Sequence, residues 1–161
     1  MSKTQIDAPA GVPFIDMERE FDAPRDLVFK AYTDPELVVQ WLGPRKYRMT
    51  IDKYDARDGG QWRYVHSDDA GNDFGFHGVF HGTPTPDRLV QTFEFEGAPG
   101  NVALDELTLE ERGGKTIVRT HSVYQTIEAR DAMVASGMAE GVEDGYDRLE
   151  ELLGRLVPVA R

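Results

Sequence analysis

The segment from Glu128 to Val157 constrains this chain most, because no other stretch combines such length with so regular a period. Met133, Met138, Val142, Gly145, Leu149, Leu152 and Leu156 return at helical spacing, with Glu140, Glu143, Asp144, Asp147, Glu150 and Glu151 mostly between them. The pattern predicts one long amphipathic helix with a single face for burial and an acidic, solvated face opposite. Gly137, Gly141 and Gly145 recur every four residues along it. Each interior glycine costs roughly 1 kcal/mol relative to alanine, so this side either admits a backbone at close range or leaves room for something.

A helix of this kind needs a broad apolar partner, and the preceding sequence supplies one. Phe14 to Phe21 alternates as a first strand. Asp22-Ala23-Pro24 and Thr33-Asp34-Pro35 then read as capped starts of two short helices, Arg25 to Tyr32 and Glu36 to Leu42, and Gly43-Pro44 stops the second. From Tyr47 the period becomes two. Tyr47 to Ala56, Gln61 to Ser67, Asp73 to Gly82, Leu89 to Glu96, Val102 to Glu111 and Thr116 to Tyr124 are strands separated by turn residues, the pattern of an antiparallel meander. The expected fold is therefore α+β: about seven antiparallel strands curled around a long C-terminal helix, with two short helices between strands one and two. Residues 1–13 read as a flexible N-terminal leader and 14–161 as one domain.

Alternation assigns the inward face. Trp62, Tyr64 and His66 share one side of their strand; Phe74, Phe76, Gly78 and Phe80 share one side of theirs; Leu89, Gln91, Phe93 and Phe95 do the same. Ala103, Leu107 and Leu109 carry Asp105 in phase with them, and Val118, Thr120, Ser122 and Tyr124 form the inward set of the last strand.

Composition removes several kinds of function. The chain has no cysteine, so disulfides, thiol catalysis and thiolate metal sites are excluded. A net charge of -11 without a Lys/Arg cluster argues against nucleic acid. No apolar run approaches the roughly 20 residues of a membrane span, and the N-terminus has no apolar signal core, so the expected compartment is the cytoplasm. His77 and His81 lie about 13 Å apart on an extended strand, too far to share one metal ion, and no metal site is expected. Asp105 is the sharper chemical candidate: among apolar neighbours its carboxyl would titrate high and could act as an acid or base. The alternatives are a solvated position near a strand end or a salt bridge to Arg63 or Arg119. His66 is a second, weaker catalytic candidate.

The segment Phe21-Asp22-Ala23-Pro24-Arg25-Asp26-Leu27-Val28-Phe29-Lys30-Ala31-Tyr32-Thr33-Asp34-Pro35-Glu36, followed by Gln40-Trp41-Leu42-Gly43-Pro44, resembles the opening of the START-related SRPBCC superfamily. Within it, the branch named for the heat-shock protein 90 ATPase activator homologue is most similar. Arg57-Asp58-Gly59-Gly60-Gln61-Trp62-Arg63, Pro86-Asp87-Arg88-Leu89-Val90-Gln91-Thr92 and Gly137-Met138-Ala139-Glu140-Gly141-Val142 resemble later landmarks of that branch in order. The resemblance implies a helix-grip fold with a cavity between sheet and helix, and no cofactor. It is compatible with binding of a hydrophobic or amphipathic small molecule, with a cyclase- or hydrolase-type enzyme in the same cavity, and with a chaperone co-regulator or stress-response protein, as monomer or homodimer. Many relatives place tryptophan where this chain has Val142, and Tyr146 stands where an aliphatic residue is usual. The expected cavity wall then comprises Trp41, Trp62, Tyr64, Phe76 and Phe80; Gln91, Phe93, Phe95 and Leu107; Thr120, Ser122 and Tyr124; and Met133, Met138, Val142 and Tyr146.

Overall fold

In chain order the elements are β1 (Gln5–Asp7), β2 (Phe14–Phe21), α1 (Arg25–Thr33), α2 (Pro35–Val38), β3 (Arg48–Tyr54), β4 (Gln61–Ser67), β5 (Asp73–Val79), β6 (Arg88–Phe95), β7 (Val102–Arg112), β8 (Lys115–Val123), α3 (Ile127–Ala135) and α4 (Met138–Leu156). The structure, a computed structural model, describes residues 3–157; the first two positions of the expected leader and the last four of the expected domain lie outside them. All strands join one antiparallel sheet in the order β1-β2-β8-β7-β6-β5-β4-β3.

The sheet has eight strands where about seven were expected. Part of the segment read as a leader is the extra one: Gln5, Ile6 and Asp7 pair with Glu18, Met17 and Asp16. Without it β2 would be the sheet's edge, with a row of open backbone groups. Three residues are too short for alternation to signal a strand.

The helix expected from Glu128 to Val157 is two helices. Gly137 separates α3 from α4 with φ 85°, a left-handed conformation that interrupts the helix and that glycine adopts without a Cβ penalty. At the start of α1, Asp22 makes no cap, whereas Asp34 caps α2 by accepting from the Glu36 backbone N–H at 3.0 Å.

The inward parity is as the alternation predicts. Trp62, Phe80, Leu89, Leu107, Leu109 and Val118 are buried with Leu149, Leu152 and Leu153 of α4 and Val28 of α1 in one core. The two halves of α4 behave differently. Its C-terminal leucines seal the core, and Met138, Gly141 and Val142 in its N-terminal half remain half-buried.

The acidic side of α4 is not simply solvated. Arg19 points inward from β2 with its side chain fully buried, 3.0 Å from Asp147, 3.5 Å from Glu143 and 4.0 Å from Glu150. These acids are spaced four and three residues apart, so one guanidinium reaches three successive positions on the helix. On the neighbouring flank Arg45 pairs with Asp144 and Glu151. Both arginines lie more than ninety residues from the helix in sequence, out of reach of any local pattern.

Candidate functional site

Between the N-terminal half of α4 and the inward face of the sheet lies a cavity of about 870 Å³. That is the size of a small-molecule pocket, for which about 300–1,000 Å³ is usual. Three walls enclose it. The sheet contributes Tyr64, Phe76, Gln91, Phe93, Asp105 and Leu107 among others; α4 contributes Met138, Gly141, Val142 and Tyr146; the segment after α2, Trp41 to Tyr47, closes the third side.

This third wall is held against α4 at several points. Arg148 donates to the backbone carbonyls of Gly43, at 2.8 Å, and Gln40, at 2.9 Å. The Arg45 backbone N–H donates to Asp144 at 2.6 Å. Two of the helix glycines face it: a Cβ on Gly145 would lie 3.3 Å from the Gly43 nitrogen, and one on Gly141 would lie 3.6 Å from Pro44. Gly145 thus serves close backbone approach, and Gly141 borders the cavity with room to spare. Gly43 itself has φ 92°, and a side chain there would overlap the His66 ring. Two constraints therefore fix a glycine at one position.

The sheet register sets the polar groups of the cavity. Gln91 stands opposite Asp105 across β6 and β7, and Asp105 opposite Ser122 across β7 and β8. Gln91 and Ser122 are thus the polar side chains placed beside the Asp105 carboxyl. Arg63 pairs with Glu96 and Asp52, and Arg119 with Glu18 and Glu110, so neither arginine supplies the salt bridge weighed for Asp105. Burial pushes the Asp105 pKa up from the ordinary carboxylate value, and the Ser122 and Gln91 hydrogen bonds restrain the rise.

His66 is buried and stacks on Tyr47 with ring centroids 5.6 Å apart. Burial lowers its pKa to about 4, against a smaller upward effect of a hydrogen bond to the Leu42 backbone, so the ring is neutral at neutral pH. Its Nε2 has no partner. Hydroxyls meet on the opposite side: Tyr54 donates to the Tyr32 carbonyl at 2.5 Å, and the Tyr32 and Tyr146 hydroxyls are 3.5 Å apart. Burial holds the phenols of Tyr32, Tyr54, Tyr64 and Tyr146 above their ordinary pKa, so they are neutral donors and acceptors.

Of the residues expected to form the wall, Trp41, Tyr64, Phe76, Gln91, Phe93, Leu107, Thr120, Met138, Val142 and Tyr146 border the cavity, as do Asp105 and His66. Six others do not. Trp62 and Phe80 are buried beneath it, Trp62 stacked on Tyr64 at 5.3 Å and Phe80 edge-on to Tyr54 at 5.6 Å. Phe95 lies beyond Phe76, at 5.2 Å. Ser122 stands opposite Asp105 in the register without bordering the cavity itself. Tyr124 is past the end of β8, where its backbone N–H donates to Pro13, and Met133 is on α3, beyond the Gly137 break.

Sequence reading missed Met17, Tyr32, Tyr47, Tyr54 and Leu89, all of which border the cavity. Leu89 and Met17 share a phase with inward residues, so parity could have found them. Tyr54 could not be found that way, because the β3–β4 register shifts between Ile51 and Lys53 and reverses the alternation.

The profile of the family described as activator of Hsp90 ATPase homolog 1-like protein matches residues 22–154. A protein from Rhodobacter sphaeroides has a crystal structure similar to this chain with TM-score 0.88 and 30% identity, over 95% of this chain and 99% of its own. A solution structure of a protein from Arthrobacter aurescens is similar with TM-score 0.86 and 23% identity, over 94% of this chain and 91% of its own. A protein from Nitrosomonas europaea gives TM-score 0.80 and 24% identity, over 94% and 100%. No curated protein matches the chain in sequence at a significant level. Among the described residues, no helix is long and apolar enough to cross a membrane.

Proposed function

The chain belongs to the activator of Hsp90 ATPase homolog 1-like family, and from that premise we propose that it binds a hydrophobic or amphipathic small molecule between its sheet and the N-terminal half of α4. The observation that carries this reading is the division of α4. One half is packed solidly by Leu149, Leu152 and Leu153, while the other, which carries Met138 and Val142, stands back from the sheet across about 870 Å³. The lining is mostly aromatic and aliphatic, with polar groups converging from Asp105, Gln91, Thr120 and Tyr146. Apolar walls supply affinity and a few fixed polar groups supply orientation.

The enzyme alternative uses the same carboxyl. Acid–base chemistry of the cyclase or hydrolase type calls for a second titratable group within hydrogen-bond reach, and the partners of Asp105 are Ser122 and Gln91. Binding is accordingly the stronger reading.

Filling the cavity tests it. Calorimetric titration with naphthylmethanol, a neutral aromatic probe, should give saturable one-to-one binding. Val142→Trp should abolish that binding while leaving the far-ultraviolet circular dichroism unchanged. Undiminished binding in the folded Val142→Trp protein would place the probe elsewhere and overturn the proposal.

A further inference from the structure

Polar side chains border the cavity at Asp105, Gln91, Thr120 and His66. The Asp105 carboxyl has neutral residues opposite it in the sheet register, Gln91 and Ser122, and no ion pair among the described residues. With no cation beside it, any negative charge on this carboxyl is left uncompensated by the protein. His66 also borders the cavity, and its buried Nε2 has no hydrogen-bond partner.

The nearest basic side chains bordering the cavity do not serve Asp105. Arg45 is engaged with Asp144 and Glu151, and Lys46 lies over the Tyr47 ring at 5.3 Å. Buried Arg19 is held by three acids of α4. Around the carboxylate the walls present aromatic rings: Tyr64 lies against Phe76 at 5.3 Å, and Phe76 against Phe93 at 5.5 Å, with Trp41 and Tyr146 across the cavity. Aromatic faces carry negative electrostatic potential and attract cations.

Resting on the reading above that the cavity holds a small molecule, we propose that this molecule is an aromatic or aliphatic amine bound in its protonated form, with Asp105 as its counter-ion. The ammonium group supplies the positive charge that the protein withholds from Asp105. Its N–H bonds satisfy the carboxylate, its apolar body fills the space beside Val142, and the rings of Tyr64, Phe76 and Phe93 flank the cation. A buried carboxylate without a partner is costly to keep, and a ligand that completes the pair removes that cost only when it binds.

Three probes of one shape separate this proposal from the reading beneath it: naphthylmethylamine, naphthylmethanol and naphthoic acid, titrated calorimetrically into the full chain at neutral pH. The amine should bind about tenfold or more tighter than the alcohol, and the acid weakest, as expected for one charge-assisted hydrogen bond. Asp105→Asn should remove the preference for the amine over the alcohol. Asp105→Glu should restore part of the preference. If the alcohol binds as tightly as the amine, or the amine's preference survives in Asp105→Asn, the amine proposal fails and the small-molecule reading stands. If none of the three binds, both fail. The comparison within the unaltered protein decides the matter even where a variant folds poorly.

Discussion

Asp105 and Ser122 stand directly opposite each other on β7 and β8, on the inward face of the sheet, and the serine moderates the rise in the aspartate pKa that burial causes. A carboxyl is thereby fixed in a cavity wall by neutral groups alone, an arrangement that costs stability and supplies an orienting group.

That cost is measurable. The folded-state pKa of Asp105 is raised, so its contribution to stability is full below the unfolded value of 3.8 and is lost as pH rises through the raised value. At neutral pH the raised folded-state pKa is therefore a net penalty in the empty protein. Asp105→Asn keeps one acceptor for Ser122 and should raise the melting temperature at neutral pH by about 2–4 °C, the equivalent of about 1 kcal/mol at this chain length. The difference should shrink at pH 3.

His66 acts in the opposite sense. Its pKa falls from 6.5 to about 4 on folding, so the unfolded chain binds the extra proton first and stability declines as pH drops through that window. The loss is on the order of 3 kcal/mol by pH 4. Denaturant titrations of His66→Phe at pH 7, 5 and 4 should show this acid-side decline flattened.

The helix glycines separate by role. Gly137→Ala forces a side chain into the left-handed region between α3 and α4, and it should cost roughly 1–2 kcal/mol. Gly141→Ala meets only Pro44 at 3.6 Å and gains helix propensity, so it should stabilise by up to about 1 kcal/mol. Chemical denaturation of the two variants side by side tests both signs.

Arg19 joins β2 to α4 through three carboxylates, but two of its nitrogens, Nε and Nη2, lack hydrogen-bond partners. Arg19→Met retains most of the buried volume and removes the charge. Three acids on one helix face then repel each other, and the variant should lose roughly 1–3 kcal/mol, less in high salt. A gain in stability at low salt would show that desolvating the guanidinium outweighs its pairing.

The fold was legible because its signals are local and repeated. Alternation in residues such as Trp62, Tyr64 and His66 gave the inward face, and the stripe ending in Leu149 and Leu152 gave the helix that this face must cover. β1 was hidden because three residues carry no period. The break at Gly137 was hidden because glycine is compatible with both a helix interior and a left-handed turn. At the site, Asp105 was legible through its phase with Leu107. The Arg19 and Arg45 attachments to α4 were not, since they depend on which distant strand and loop face the helix. Trp62 and Phe80 were assigned to the cavity because parity tells inward from outward, but not the first layer under the helix from the second.

The central claim is that the space beside Val142 receives a ligand. An amide-resolved nuclear magnetic resonance titration with naphthylmethanol tests it most directly. The account predicts saturable shifts at Gln91, Phe93, Leu107, Thr120, Val142 and Tyr146, with Leu152 and outer-face residues such as Glu106 and Arg119 unmoved. Shifts confined to the outer face, or none at concentrations well above those of the protein, would contradict it.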